Sequence, residues 1–375
     1  MELFDVYPLY PITPVQGRGA WITDQKGDRY LDLYGGHAVI SIGHSHPHFV
    51  RGVENQLRTL AFYSNSIENP LQQALAQKLG EMSGLEDYQL FLCNSGAEAN
   101  ENALKLASFH TGKSRVIAFK NSFHGRTSAA VAATDNKAIV APLNAGHPVT
   151  FLEMNHPEAL EAELRKGDVC AVILEAIQGV GGLDMATPEF LEAVSRQCAA
   201  HGAVFIADEV QCGFGRSGRF FAFQHSAATP GIISMAKGMG NGFPVGGILI
   251  HPDIRPSHGL LGTTFGGNHL ACAAALAVLE VLDSEGLAEH ARQMEAYFRK
   301  GVAGITAVTQ VKGKGLMLGL RLDREVAALR RRLIFEHRIF TGSAKDKNLL
   351  RILPPLNIKP EELDLLFAAL KQELA

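Results

Sequence analysis

Five short apolar runs recur through the middle of the chain with helical stretches between them: Gln89 to Cys93, Arg115 to Phe119, Val169 to Leu174, Ala203 to Ala207 and Ile232 to Met235. Strands that alternate with helices pair as parallel neighbours, so this rhythm predicts an α/β unit. The runs lack polar alternation, which suits a sheet covered on both faces. Helices are expected from Glu98 to His110, stopped by Gly112, and from Pro188 to His201, entered through Thr187 as N-cap and stopped by Gly202.

The chain ends read differently. Trp21 to Asp24 and Arg29 to Asp32, joined by Gln25-Lys26-Gly27-Asp28, form an expected antiparallel hairpin. Beyond the centre lie a long amphipathic stretch near Leu270 to Val302, short strands around Gly315 to Leu322 and a closing helix from Pro360. A chain of 375 residues exceeds what one hydrophobic core usually fills. The expected organisation is a large domain over 51–265 and a small one built from 1–50 and 266–375.

Charge narrows the function. The 35 basic and 38 acidic side chains leave a formal charge of −3, which gives no long-range field for phosphate backbones or anionic lipid. Nucleic acid and membrane are therefore not expected partners, and small molecules or protein subunits remain. The five cysteines are scattered and form no CxxC pair, as free thiols of a reducing compartment do. Met1 to Pro8 has neither a basic n-region nor an apolar h-region, so a soluble, unprocessed, cytoplasmic protein is expected.

In parallel α/β sheets, ligands bind beyond the carboxyl ends of the strands, so the residues after each run carry the functional argument. Cys93 is followed by Asn94-Ser95-Gly96-Ala97-Glu98, a turn into a helix whose free N–H groups suit a phosphate; a plain capped helix start fits the same residues. Ala207 is followed by Asp208, a carboxylate that needs a partner if buried, with a structural ion pair as the bland alternative. Ala236 is followed by Lys237 and a glycine-rich segment, where a snorkelling surface lysine competes with a functional amine. Together, an anion cradle, a carboxylate and an amine at one sheet edge meet the needs of pyridoxal phosphate.

Two other signals are weaker. Gly213-Phe214-Gly215-Arg216-Ser217-Gly218 matches GxGxxG, but no acidic residue lies between Glu209 and Asp253, so the ribose-binding carboxylate of a dinucleotide site is missing. His44, His46 and His48 alternate, yet no second ligand cluster accompanies them and Pro47 favours a turn, so no metal is expected.

The residues in order resemble the class III (fold type I) pyridoxal-phosphate aminotransferases, in particular the acetylornithine aminotransferase branch. The resemblance rests on Gly43-His44-Ser45-His46-Pro47, Asn94 to Asn100, Phe123-His124-Gly125-Arg126-Thr127, Ile177-Gln178-Gly179, Asp208-Glu209-Val210-Gln211, Ala236-Lys237-Gly238 and Thr263 to Asn268, and covers nearly the whole chain. It implies a large domain with a mostly parallel seven-stranded sheet and a small α/β domain from both chain ends. It implies pyridoxal 5'-phosphate as cofactor, and a homodimer with shared active sites.

By that resemblance Lys237 is the imine-forming lysine and proton carrier, and Asp208 pairs with the ring nitrogen. Ser95, Gly96 and Ala97 hold the phosphate, joined by Thr264 from the neighbouring subunit; Phe123 stacks on the ring, and Gln211 lies near its phenolic oxygen. Arg126 binds the distal carboxylate and Arg351 the α-carboxylate of glutamate, because a guanidinium grips a carboxylate bidentately. The implied reaction is ping-pong transfer of the δ-amino group of N2-acetylornithine or N2-succinylornithine to 2-oxoglutarate in arginine biosynthesis. Ornithine, 4-aminobutyrate or an aminomutase substrate is the alternative, and a non-catalytic phosphate-binding protein the rival from another class.

The chain departs from the family pattern at three positions. The usual Gln-Gly-Glu reads Gln178-Gly179-Val180, so Arg351 lacks its gate carboxylate; another acid, water, or a wider substrate carboxylate preference is expected instead. His37 stands where ornithine aminotransferases carry tyrosine and acetylornithine enzymes an aliphatic residue, and either contacts an acyl group or is structural. His269 stands where proline is common.

Overall fold

The computed structural model describes residues 1–374. The first strands, β1 (Pro14–Arg18), β2 (Trp21–Asp24) and β3 (Arg29–Asp32), form an antiparallel meander in which β2 and β3 are the expected hairpin. Seven further strands follow: β4 (Gln89–Cys93), β5 (Arg115–Phe119), β6 (Val149–Leu152), β7 (Val169–Leu174), β8 (Val204–Asp208), β9 (Ile232–Met235) and β10 (Gly246–Ile250). They make one sheet in the order β4-β10-β9-β8-β7-β5-β6. Only β10 runs against its neighbours, so the sheet is mostly parallel.

Apolar side chains pack against both faces of this sheet, and every residue of β7 is buried. The five expected runs are all strands, because continuous apolar sequence satisfies a strand sandwiched between layers. The sequence reading misses β6, whose four residues are only half-buried at the sheet edge, and β10, which opens on Gly246-Gly247. A Cβ on Gly246 would lie 2.9 Å from the Met235 carbonyl and from that of Ser95, so glycine lets β10 start at the crowded edge.

The helices Gly96–Thr111 and Pro188–His201 end on Gly112 and Gly202, both left-handed, and the second is capped by Thr187 Oγ1 accepting from Phe190 N at 3.2 Å. The amphipathic stretch near Leu270 to Val302 is two helices, His269–Ser284 and Leu287–Val302, because left-handed Gly286 (φ 59°) turns the chain between them. The first packs on the helices Pro47–Thr59 and Pro70–Ser83. Residue 50 lies inside the helix Pro47–Thr59 rather than in a linker.

The C-terminal third adds β11 (Val308–Lys314), β12 (Met317–Leu322), β13 (Ile339–Phe340), β14 (Gly342–Ser343) and β15 (Leu349–Ile352), and closes with the helix Pro360–Leu374. β11, β12, β15 and β14 form a sheet in that order, whereas β13 pairs in parallel with β3. The two chain ends thus share a sheet. Among the described residues no helix is long and apolar enough to cross a membrane.

The segment after β3 carries strain. Gly35, Gly36, His37 and Ala38 all have left-handed φ, from 55° to 70°, and a non-glycine residue there costs about 1–2 kcal/mol. Buried Asp32 holds the segment: its Oδ1 accepts from Tyr34 N at 3.0 Å and Gly35 N at 2.8 Å, and its Oδ2 pairs with His44 Nε2 at 2.8 Å. Replacing Asp32 with Ala orphans these groups and is expected to destabilise the protein by about 3 kcal/mol. Thermal melting would show it as a clear fall in midpoint, and an unchanged midpoint would deny Asp32 this role.

Candidate active site

Adjacent parallel strands β8 and β9 deliver two side chains to one cavity of about 350 Å³ at their carboxyl ends: Asp208 from the end of β8 and Lys237 just beyond β9. Asp208 is 3% exposed. Its Oδ2 accepts from Asn100 Nδ2 and pairs with His124 Nδ1, both at 2.7 Å, and its Oδ1 accepts from Val210 N at 3.0 Å. A buried carboxylate survives only with such partners. The structural ion pair weighed for Asp208 is therefore present, and the carboxylate also lines the cavity.

Lys237 sits in the left-handed region at φ 46°, and its Nζ has no hydrogen-bond or ion-pair partner among the described residues. It is not a snorkelling surface lysine. Burial lowers its pKa below 10.5, with the positive charge of Arg351 acting the same way, while Asp208 and Glu175 pull upward. An unpaired, partly desolvated amine is the state in which a lysine is nucleophilic.

The expected phosphate cradle also lines the cavity. Ser95 caps the helix Gly96–Thr111, its Oγ accepting from Glu98 N at 3.2 Å, while the Gly96 and Ala97 N–H groups have no protein acceptor among the described residues. Those open donors at a helix N-terminus suit an anion. A Cβ on Gly96 would approach Val210 Cγ1 to 2.5 Å, so glycine keeps the turn close to the strand ends. Phe123 and Arg126 also line the cavity, Arg126 with an exposed side chain. Gln211 lines it too, donating from Nε2 to the His37 carbonyl at 3.0 Å and leaving a buried Oε1 without a partner. An open anion cradle, an unpaired lysine and a buried carboxylate surround one space, so these residues fit pyridoxal phosphate.

Three other expected site residues lie outside the cavity lining. Thr264 is exposed beside exposed Phe265. His37 is exposed and packs its ring on Tyr34 at 4.8 Å; partial burial, then the charges of Arg351 and Lys237, lower its pKa. Arg351 is buried and bonded to the carbonyl of Gly179, whose neighbour Val180 lines the cavity. The expectation of another acid for Arg351 is corrected: among the described residues none pairs with it. Its Nε donates to the Ser343 carbonyl at 2.6 Å, its Nη1 to the Gly179 carbonyl at 2.9 Å and its Nη2 to the Tyr34 hydroxyl at 3.2 Å. Burial lowers its pKa from 12.5.

The sequence reading quotes Asn100 and His124 only as motif residues, without a role, and passes over Glu175. Glu175 directly follows β7, so the rule that finds Asp208 would find it. It is buried, accepts from Phe123 N at 2.9 Å and Gly179 N at 2.8 Å, and desolvation pushes its pKa up to about 6. Glu209, beside Asp208, is structural: its carboxylate accepts from Ala222 N and Phe223 N at 2.8 and 2.9 Å.

The weaker signals are also resolved. The GxGxxG segment is a packed turn around Arg216, which donates to the carbonyls of Leu316, Pro354 and Ile40, and burial pushes its pKa down to about 9. His44, His46 and His48 pair separately with Asp32, Glu285 and Glu280. His46 caps the helix that Pro47 starts. Among the described residues no group of three or more His, Cys, Asp or Glu is placed to hold a metal.

Comparison with known proteins agrees with this geometry. The profile of the family described as aminotransferase class-III matches residues 6–374. The acetylornithine aminotransferase of Bacillus subtilis (strain 168) is 39% identical over 382 residues, spanning 100% of this chain and 98% of its own. That of Caldanaerobacter subterraneus subsp. tengcongensis is 40% identical, spanning 96% and 94%. Among solved structures, ornithine aminotransferase from Toxoplasma gondii ME49 superposes with a TM-score of 0.90 at 28% identity, covering 98% of this chain and 91% of its own. Acetylornithine aminotransferase from Elizabethkingia anophelis gives 0.84 at 30% identity, covering 98% and 95%.

The charges around Lys237 make a pH prediction. In cofactor-free protein, the rate of Lys237 acylation followed by peptide mass spectrometry should rise with a midpoint below 10.5. Asp208 favours the protonated amine, so Asp208→Asn should move the midpoint further down. An upward movement would contradict the electrostatics described.

Proposed function

Because the chain belongs to the class-III aminotransferases, we propose that it moves the δ-amino group of N2-acetylornithine or N2-succinylornithine onto 2-oxoglutarate by a ping-pong mechanism, as in arginine biosynthesis. The enzyme is a pyridoxal 5'-phosphate-dependent aminotransferase. One observation carries the proposal: Lys237, unpaired among the described residues, shares a cavity with buried Asp208 and with Arg126, while Arg351 is bonded to the carbonyl of Gly179, the neighbour of lining residue Val180. Full-length likeness to acetylornithine aminotransferases supports the donor.

When bound, the cofactor supplies a cationic ring that takes up the electron pair left on the substrate carbon. Lys237 Nζ, deprotonated more readily than an exposed lysine, would take the proton from that carbon and deliver it to the reacting carbon of the cofactor. Asp208, held by His124 and Asn100, would pair with the ring nitrogen and favour its protonated form. Phe123, positioned through its N–H by Glu175, would stack on the ring. Ser95, Gly96 and Ala97 would bind the phosphate, and Gln211 would serve the phenolic oxygen, all four lining the cavity.

Arg126, exposed at the cavity, receives the distal carboxylate; Arg351 receives the α-carboxylate of glutamate or 2-oxoglutarate. His37 stands near the acyl group, and its lowered pKa favours the neutral ring there. The active unit is a homodimer in which Thr264 reaches the partner's phosphate. The exposed Phe265, Phe62 and Leu57, and the exposed apolar residues Leu3, Phe4 and Leu9 of the N-terminal segment, support a surface that a second copy covers. All five cysteines are free and buried, which supports a cytoplasmic location.

Single-turnover half-reactions on the holoenzyme test the proposal by loss of the cofactor's visible absorbance. An acylated ornithine and glutamate should each react, with ornithine and 4-aminobutyrate at least tenfold slower in rate constant over affinity. Conversion by 4-aminobutyrate or ornithine alone would replace the donor. Asp208→Ala should lower proton abstraction by orders of magnitude while weakening cofactor binding far less, measured by comparing the half-reaction rate with the cofactor dissociation constant.

A further inference from the structure

Among the described residues Arg351 is a buried cation without a carboxylate partner, an arrangement that is costly unless neutral groups satisfy it. Two of its three partners are backbone carbonyls, which any sequence could supply. The third is a side chain: Tyr34 accepts from Nη2 at 3.2 Å, and its ring centroid lies 5.6 Å from Cζ, within cation–π range. Three of the five guanidinium N–H groups are thereby engaged, which leaves one on Nη1 and one on Nη2.

A second observation shows that the fold makes room for this contact. Gly342 in β14 stands directly opposite Arg351 in β15. A Cβ on Gly342 would lie 2.3 Å from Tyr34 Cε2, so only glycine there lets the ring reach the arginine. Tyr34 is itself fixed from the other side, since its N–H donates to Asp32 and the left-handed segment starts immediately after it.

We propose that Tyr34 is the positioning residue for Arg351: a neutral hydroxyl and ring hold the guanidinium ready for a carboxylate on the reacting carbon, with no counter-charge to be displaced. The inference rests on the reading of Arg351 as the receiver of that carboxylate. It makes Tyr34 specific to one half-reaction. Glutamate and 2-oxoglutarate carry a carboxylate on the reacting carbon, whereas the δ-carbon of an acylated ornithine carries none.

The test compares wild-type, Tyr34→Phe and Gly342→Ala holoenzymes in the two half-reactions, with calorimetric binding of glutarate as a non-reacting dicarboxylate probe. Tyr34→Phe keeps the ring and removes one hydrogen bond to a charged group, so KM for glutamate and Kd for glutarate should rise about tenfold. KM and kcat with N2-acetylornithine should stay within about twofold. Gly342→Ala, which pushes the ring away, should change the same constants in the same direction. Equal losses in both half-reactions, or an unchanged glutarate Kd in Tyr34→Phe, would overturn the role of Tyr34. A wild-type enzyme that reacts with neither acetylornithine nor glutamate would instead remove the functional reading, and this inference with it.

Discussion

A carboxylate taken out of water must be compensated where it stands, and the pairing of Asp208 with His124 and Asn100 is the contact on which the site depends. It draws together the end of β8, the helix after β4 and the segment after β5, three stretches far apart in the chain. Once Asp208 is held, its negative charge acts on Lys237, whose amine has no hydrogen-bond or ion-pair partner among the described residues. Burial and the carboxylates act on that amine in opposite senses, with burial the larger effect. The result is a lysine readier to lose its proton than one in water.

The arginine side of the site is built on a different principle. Arg351 is buried among two carbonyls and a phenol, so its charge is solvated by dipoles and has no carboxylate opposite it. Glu175 links the two halves: it accepts from Phe123 N at the expected ring face and from Gly179 N, whose own carbonyl receives Arg351. Its displaced pKa reflects desolvation first and the neighbouring charge of Asp208 after His124. One buried acid therefore bridges the Phe123 backbone and the turn whose Gly179 carbonyl receives Arg351.

Much of the central sheet was legible because its strands are apolar on both faces and its helices are bounded by strong signals. Thr187 and Gly202 delimit one helix, and Gly112 ends another, through chemistry local to those residues. β6 escaped because an edge strand need not be apolar, and β10 because it begins with glycines that serve close approach rather than burial. Gly286 was legible as a residue but not as a break, since helical periodicity continues on both sides of it.

By itself the sequence determined the alternating strand and helix order, the strand ends that present Ser95, Asp208 and Lys237, and an apolar side chain at Val180. These follow from local propensity, apolar patterning and residue identity. The tertiary structure alone decided what faces what: that His124 and Asn100 hold Asp208, that Tyr34 reaches Arg351 over Gly342, and that Gly35 to Ala38 turn left-handed. The physical reason is burial. Whether a charged group needs a partner, and which partner is near enough to serve, is set by water excluded when distant segments pack, and no local pattern encodes that distance.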